Sequence, residues 1–154
     1  IDLAEVYSQS DVESLVAVVG KQGEQARNTL GLVVNVQISK EKALLLAVKM
    51  KRRYAQLVIS AYPGVLALHP HCQGALLSLV VNRGNSFTQP NTDSRLEMKQ
   101  INDDFVSLTP EKIPDRIRSM KRLWEGKSGL RGLIIRREEE AKLFERGLKC
   151  DCWD

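Results

Sequence analysis

The sequence predicts a mainly α-helical fold, a multi-helix bundle packed around one central helix at about residues 70–83. Three observations lead there. Apolar residues recur at three- and four-residue spacing over several stretches, the period of a helix with one buried face. From Ala75 to Val81 the chain is apolar nearly all round, which suits a helix in the middle of a core. Aromatic residues make up only 5% of the 154, so the core is aliphatic, built from Leu, Val, Ile and Ala.

The elements follow in order. Ser10-Asp11-Val12-Glu13 reads as a capping box, in which Ser10 and Glu13 satisfy each other's backbone N–H groups. Val12, Leu15, Val16 and Val19 follow at helical spacing, and Gly20 suits the C′ position. A second short helix is predicted over Glu24 to Leu30. Leu32 to Ile38 is β-branched and reads as extended. Ser39 caps a long helix over Lys40 to Ala61, which Tyr62-Pro63-Gly64 stops. His69-Pro70 opens the central helix with proline in the first turn, and Gly84 ends it. A polar loop with Pro90 leads to a short helix from Asp93 or Ser94 to about Asn102. Thr109-Pro110-Glu111 and Ile113-Pro114-Asp115 start another, which ends near Trp124. The last helix covers about Leu130 to Arg146, and Gly147 releases the tail. The organisation expected is one domain, with a helical N-terminal part at 1–66, a C-terminal lobe at 67–147 and a tail at 148–154.

No apolar run approaches the roughly 20 residues that span a bilayer, so no membrane partner is expected. The start, Ile1-Asp2-Leu3-Ala4-Glu5, is acidic rather than basic and reads as a cut or processed end, not a signal peptide. Net charge is +4. Between Glu111 and Arg137 nine cations stand against three acids, a net +6 concentrated in 27 residues. That excess suits a polyanion: nucleic acid, an anionic bacterial envelope, or simply solvent along a helix face. The stretch has little aromatic interleaving and no nucleic-acid reader motif, so the expectation is against nucleic acid. Three cysteines, Cys72, Cys150 and Cys152, are too few for a disulfide framework, and the last two read as thiols beside a chain end. His69-x-His71 and Cys150-x-Cys152 are not standard zinc spacings. No metal and no cofactor is expected.

Three blocks occur in a fixed order. Gly74-Ala75-Leu76-Leu77-Ser78-Leu79-Val80-Val81-Asn82-Arg83-Gly84 comes first, then Ser94-Arg95-Leu96-Glu97-Met98-Lys99-Gln100-Ile101. Ile117 to Trp124 follows, running on through Gly129-Leu130 to Arg136-Arg137-Glu138-Glu139-Glu140-Ala141-Lys142-Leu143-Phe144. Together they resemble the C-terminal lobe of phage-type lysozymes, the peptidoglycan muramidases, over about Leu68 to Arg146. In that family a buried helix ends in an Asn-Arg-Gly turn, and a Trp-ended helix precedes a helix carrying Arg-Arg and Glu-Ala.

The resemblance implies cleavage of the glycosidic bond after N-acetylmuramic acid, with peptidoglycan as the partner and the bacterial wall or periplasm as the place of action. Delivery would come from phage lysis or a secretion system, and an effector setting would add an immunity protein. The reaction needs a protonated carboxyl to protonate the leaving oxygen. In the family this is a Glu ahead of a Thr-x-Gly-x-Gly hairpin. This sequence has no Gly-x-Gly, so no catalytic residue is carried over. The opening residues resemble those that follow the hairpin, so the catalytic part is expected on a preceding segment or a separate chain. A non-catalytic wall-binding lobe is the alternative.

Substrate contact can be carried over. Asn82, Arg83 and Gly84 match the turn that lines the far wall of the family's cleft, where an amide and free backbone groups can meet acetamido groups. The same residues also read as a helix C-cap. Arg137 or its neighbour Arg136 matches a family arginine near the cleft, able to pair with a peptide-stem carboxylate. Either also reads as an ordinary surface charge.

Overall fold

A computed structural model describes residues 3–88 and 91–150. Ile1, Asp2, Pro90 and the tail from Asp151, with Cys152, lie outside the described residues. Among the described residues there are seven α-helices and no strand, the mainly α, multi-helix class that the periodicity predicts. They are α1 (Gln9–Ala17), α2 (Gly23–Thr29), α3 (Lys40–Ala61), α4 (Pro70–Arg83), α5 (Leu96–Val106), α6 (Ile113–Ser119) and α7 (Arg131–Leu148). The chain divides into two compact units, Ile1–Arg52 and Arg53–Asp154. Val58, Ala61, Tyr62 and Val65 belong to the buried core of the second unit.

In the first unit the cap of α1 is Ser8 rather than Ser10. Its hydroxyl accepts from the Asp11 N–H at 3.2 Å, while Glu13 is held by Gln9 instead of reaching back as a capping box would. Leu32 to Ile38 is not a strand. A 3₁₀ turn covers Leu30–Leu32 and a turn follows, since an isolated β-branched run has no second strand to pair with. Val6 is the only buried hydrophobic residue here among those described.

The second unit has a dense core. Ala75, Leu76, Leu79 and Val80 of α4 are fully buried, with Met98, Ile101, Ile113, Ile117 and Phe144 from the helices around them. His69 and Pro70 start α4 as predicted. The His69 Nδ1 accepts from the His71 N–H at 3.1 Å, and Pro70 fills a position where no N–H is needed. At the end of α3, Asn102 Nδ2 donates to the Ala61 carbonyl at 2.7 Å, giving a C-terminal carbonyl its partner.

Helix α7 packs closely on α4 and also on α6. The closest approach is at Gly147, where a Cβ would fall on the Cys72 sulfur and within 2.9 Å of the Cys72 backbone nitrogen. Glycine is required there for space, beyond its expected role as a helix terminator. Cys72 is buried, and its Sγ donates to the Phe144 carbonyl at 3.3 Å. Cys150 is disulfide-bonded, which corrects its reading as a loose thiol.

Candidate functional site

The candidate turn sits where α4 leaves the core. Val80 is buried and Gly84 turns the chain at φ +75°, a conformation glycine adopts without a Cβ penalty. The Gly84 N–H closes the helix on the Val80 carbonyl at 2.7 Å. The capping is therefore done by backbone, and the exposed Asn82 makes no hydrogen bond with its amide among the described residues.

Arg83 points back into the protein. Its Nη2 donates to the Ser94 carbonyl, and Arg95 Nη1 donates to the Arg83 carbonyl. This reciprocal pair fixes the turn against the start of α5. The Arg83 guanidinium lies 5.2 Å from the centre of the Trp124 ring, and that of Arg137 lies 5.7 Å from the same ring. Both distances fall within the range of cation–π attraction. Trp124, 8% exposed, is a core anchor of the second unit.

The two neighbouring arginines part company. Arg136 is exposed, whereas Arg137 is fully buried. Burial takes Arg137 out of direct reach of a ligand and sets aside its reading as a surface charge. Its Nη2 donates to Glu140 Oε1 at 2.9 Å, and Ser78 Oγ donates to the same oxygen at 2.6 Å, so α4 and α7 share one buried polar network. Burial pushes Arg137 down and Glu140 up from their ordinary pKa values, and the attraction between the two charges opposes both shifts. Arg137 Nε and Nη1, Arg83 Nε and Glu140 Oε2 are buried with no partner among the described residues.

Over this network lies a shallow depression of about 380 Å³, lined by Ser78, Arg136, Glu139, Glu140, Leu143 and Arg146. The structure thus brings Arg83 and Arg137 together at Trp124, with Asn82 outside on the same helix end and Arg136 at the depression. Ser78, Arg95 and Glu140 were not singled out by the sequence. The signal for Glu140 and for the burial of Arg137 is the helix period: Arg137, Glu140, Ala141 and Phe144 share one face, and Ala141 and Phe144 are plainly apolar.

Among the described residues, no buried carboxyl is open to substrate as a general acid would be. The three buried ones are each paired: Glu97 with Arg122, Asp104 with Arg116, Glu140 with Arg137. Glu140 has the raised pKa that an acid needs, yet its free oxygen is closed off from solvent.

The basic stretch is also changed by folding. Five of its nine cations, Arg116, Arg118, Lys121, Arg122 and Arg137, form ion pairs, most with acids outside the stretch. Much of the +6 in sequence is therefore neutralised in space. Among the described residues no three His, Cys, Asp or Glu side chains gather as a metal site, and no helix is long and apolar enough to cross a membrane. No family model, curated protein or solved structure matches the chain. The likeness to phage-type lysozymes rests on the three sequence blocks alone.

Proposed function

We propose that the second unit is a peptidoglycan-recognising lobe of the muramidase type. Glycosidic cleavage would then depend on a carboxylic acid from outside the described residues, and the bacterial wall would be the place of action. The observation that carries this reading is the rigid Asn82-Arg83-Gly84 turn. Arg83, Arg95 and Trp124 hold its inner side, and the exposed Asn82 amide makes no hydrogen bond among the described residues. An exposed amide on a turn whose backbone is held suits acetamido groups, and the exposed Arg136 suits a stem-peptide carboxylate. Arg137 contributes from behind as a positioning residue. The internal neutralisation of the basic stretch favours this reading over nucleic-acid binding.

Co-sedimentation with purified sacculi tests the proposal. The chain should be retained, and Asn82→Ala and Arg136→Ala should each weaken retention about tenfold, the scale of one lost polar contact to a charged or well-oriented group. Passage through sacculi unretained, or equal retention on DNA, would sink the reading. Clearing of a wall suspension by the chain alone would overturn the part that places the acid elsewhere.

A further inference from the structure

The Asn82-Arg83-Gly84 turn leans on the segment that opens α5. Arg83 donates to the Ser94 carbonyl, and Arg95 donates back to the Arg83 carbonyl. The turn can be no better placed than that segment. Asp93–Arg95 is a 3₁₀ turn, and Thr92 before it gives no side-chain cap. Its local tie is to Asn91, whose Oδ1 accepts the Ser94 N–H at 2.7 Å. A tie within one loop does not fix the loop against the rest of the fold.

Arg122 does that from outside. It lies in the 3₁₀ turn Met120–Leu123 that follows α6. Its Nη2 donates to the Asp93 carbonyl at 2.8 Å, and its Nη1 donates to the two Asp93 carboxylate oxygens at 3.1 and 3.2 Å. Its Nε donates to Glu97 Oε1 at 2.5 Å, and Nη2 also reaches Oε2 at 3.3 Å. One guanidinium thus grips both ends of Asp93–Glu97, with Ser94 and Arg95 between. Glu97 is 2% exposed, so these charge-assisted bonds are made away from water, where they are strongest. Two residues on from Arg122, the Trp124 ring lies 5.2 Å from the Arg83 guanidinium. The same short stretch therefore meets Arg83 twice, directly through Trp124 and indirectly through the carbonyl that Arg122 places.

We propose that Arg122 is a positioning residue for the Asn82-Arg83-Gly84 turn: it sets Asp93–Glu97 so that Arg83 reaches the Ser94 carbonyl and the Trp124 ring together. Lysine would not replace it, because one ammonium cannot meet the Asp93 carbonyl, the Asp93 carboxylate and Glu97 in the fixed fork that a guanidinium presents. The inference rests on the peptidoglycan reading for what the turn contacts, and not for how the turn is held.

Amide NMR of Asn82, Arg83 and Gly84 reports where the turn sits, and co-sedimentation with sacculi reports what it binds. Loss of Arg122 alone would strand the buried Glu97, so the main variant is Arg122→Met/Glu97→Gln, with circular dichroism showing the helices kept. The three amides should shift and retention on sacculi should fall about tenfold. In this background Asn82→Ala should cost less than about twofold more, since the two changes act on one contact. Arg122→Lys should shift the same amides, and it serves alone should the double variant not fold. Arg116→Met/Asp104→Asn removes a like pair at the other end of α5 and should leave the turn amides and the retention as in the parent. Unmoved turn amides in a folded Arg122 variant, an Asn82→Ala penalty still near tenfold there, or equal amide shifts in the Arg116 variant would each overturn the proposal. A parent chain that sacculi do not retain ends the peptidoglycan reading, and the amide shifts then decide the role of Arg122 by themselves.

Discussion

The guanidinium of Arg137 and the carboxylate of Glu140 meet at 2.9 Å, with the two residues 0% and 4% exposed. A pair so buried is weakly stabilising as a pair but strongly destabilising once broken, because the remaining charge has neither water nor a counter-charge. Arg137→Met should lower unfolding free energy by about 3–5 kcal/mol in denaturant titration. Arg137→Met/Glu140→Gln should recover a large part of that loss, since the glutamine needs no counter-charge and can still accept from Ser78. If the double variant is no more stable than the single one, the pair is not what holds this part of the core.

Gly147 gives a steric prediction. In Gly147→Ala the new methyl meets the Cys72 sulfur and backbone, so α7 must move away from α4. Overpacking of this kind costs about 1–3 kcal/mol. Cys72→Ala in the same chain should restore only part of the stability, because the backbone contact at 2.9 Å remains. A thermal melt equal to that of the parent would contradict the close approach.

After α5, Leu108 adopts φ +54° while 86% exposed. It bears the penalty of the left-handed region with almost no packing in return. Leu108→Gly should therefore raise stability by about 0.5–1 kcal/mol, even after the larger chain entropy of glycine is counted. A lower Tm would show that Leu108 has a role its exposure hides.

Acid should act on α7 in two opposite ways. Lys121 holds Glu138, and Arg118 holds Glu145, below the ordinary glutamate value of 4.5. The stability they supply is present above that value and is lost as pH falls through their lower folded values. Both are about one-third exposed, so solvent screens the effect and the loss is gradual. Glu140, raised by burial, runs the other way and favours the fold as pH drops from its raised value toward 4.5. Melting curves across the acid range should show a shallower acid limb in Glu138→Gln/Glu145→Gln and a steeper one in Glu140→Gln.

The helices were legible in the sequence wherever tertiary packing and local pattern agree. Ala75 to Val81 is apolar nearly all round because α4 buries Ala75, Leu76, Leu79 and Val80, although Val81 stays about half exposed, and His69-Pro70 marks its start in plain chemistry. Leu32 to Ile38 shows the opposite case. Its β-branched residues favour extended chain locally, but strands are stabilised by neighbours, and no second strand is present among the described residues. Ser8 and Ser10 compete for one cap within two residues, and composition does not separate them. At the candidate site, the turn at Asn82-Arg83-Gly84 was visible as punctuation after an apolar run. The difference between Arg136 and Arg137 was not visible from their identities. It follows from helix phase, through Ala141 and Phe144, and from Glu140 one turn on.

The hold on the turn also bears on how freely this sequence can drift. Arg83 and Arg95 both bind main-chain carbonyls, those of Ser94 and of Arg83 itself. A carbonyl is the same whatever side chain the residue carries. Substitutions at position 94 should therefore pass with little selection from this contact. Positions 83 and 95 carry the whole constraint, and arginine is the side chain whose length and fixed fork of donors meet it. A deep mutational scan would show position 94 more tolerant than 83 and 95, limited only by the bond that the Ser94 hydroxyl donates to the Asn91 carbonyl.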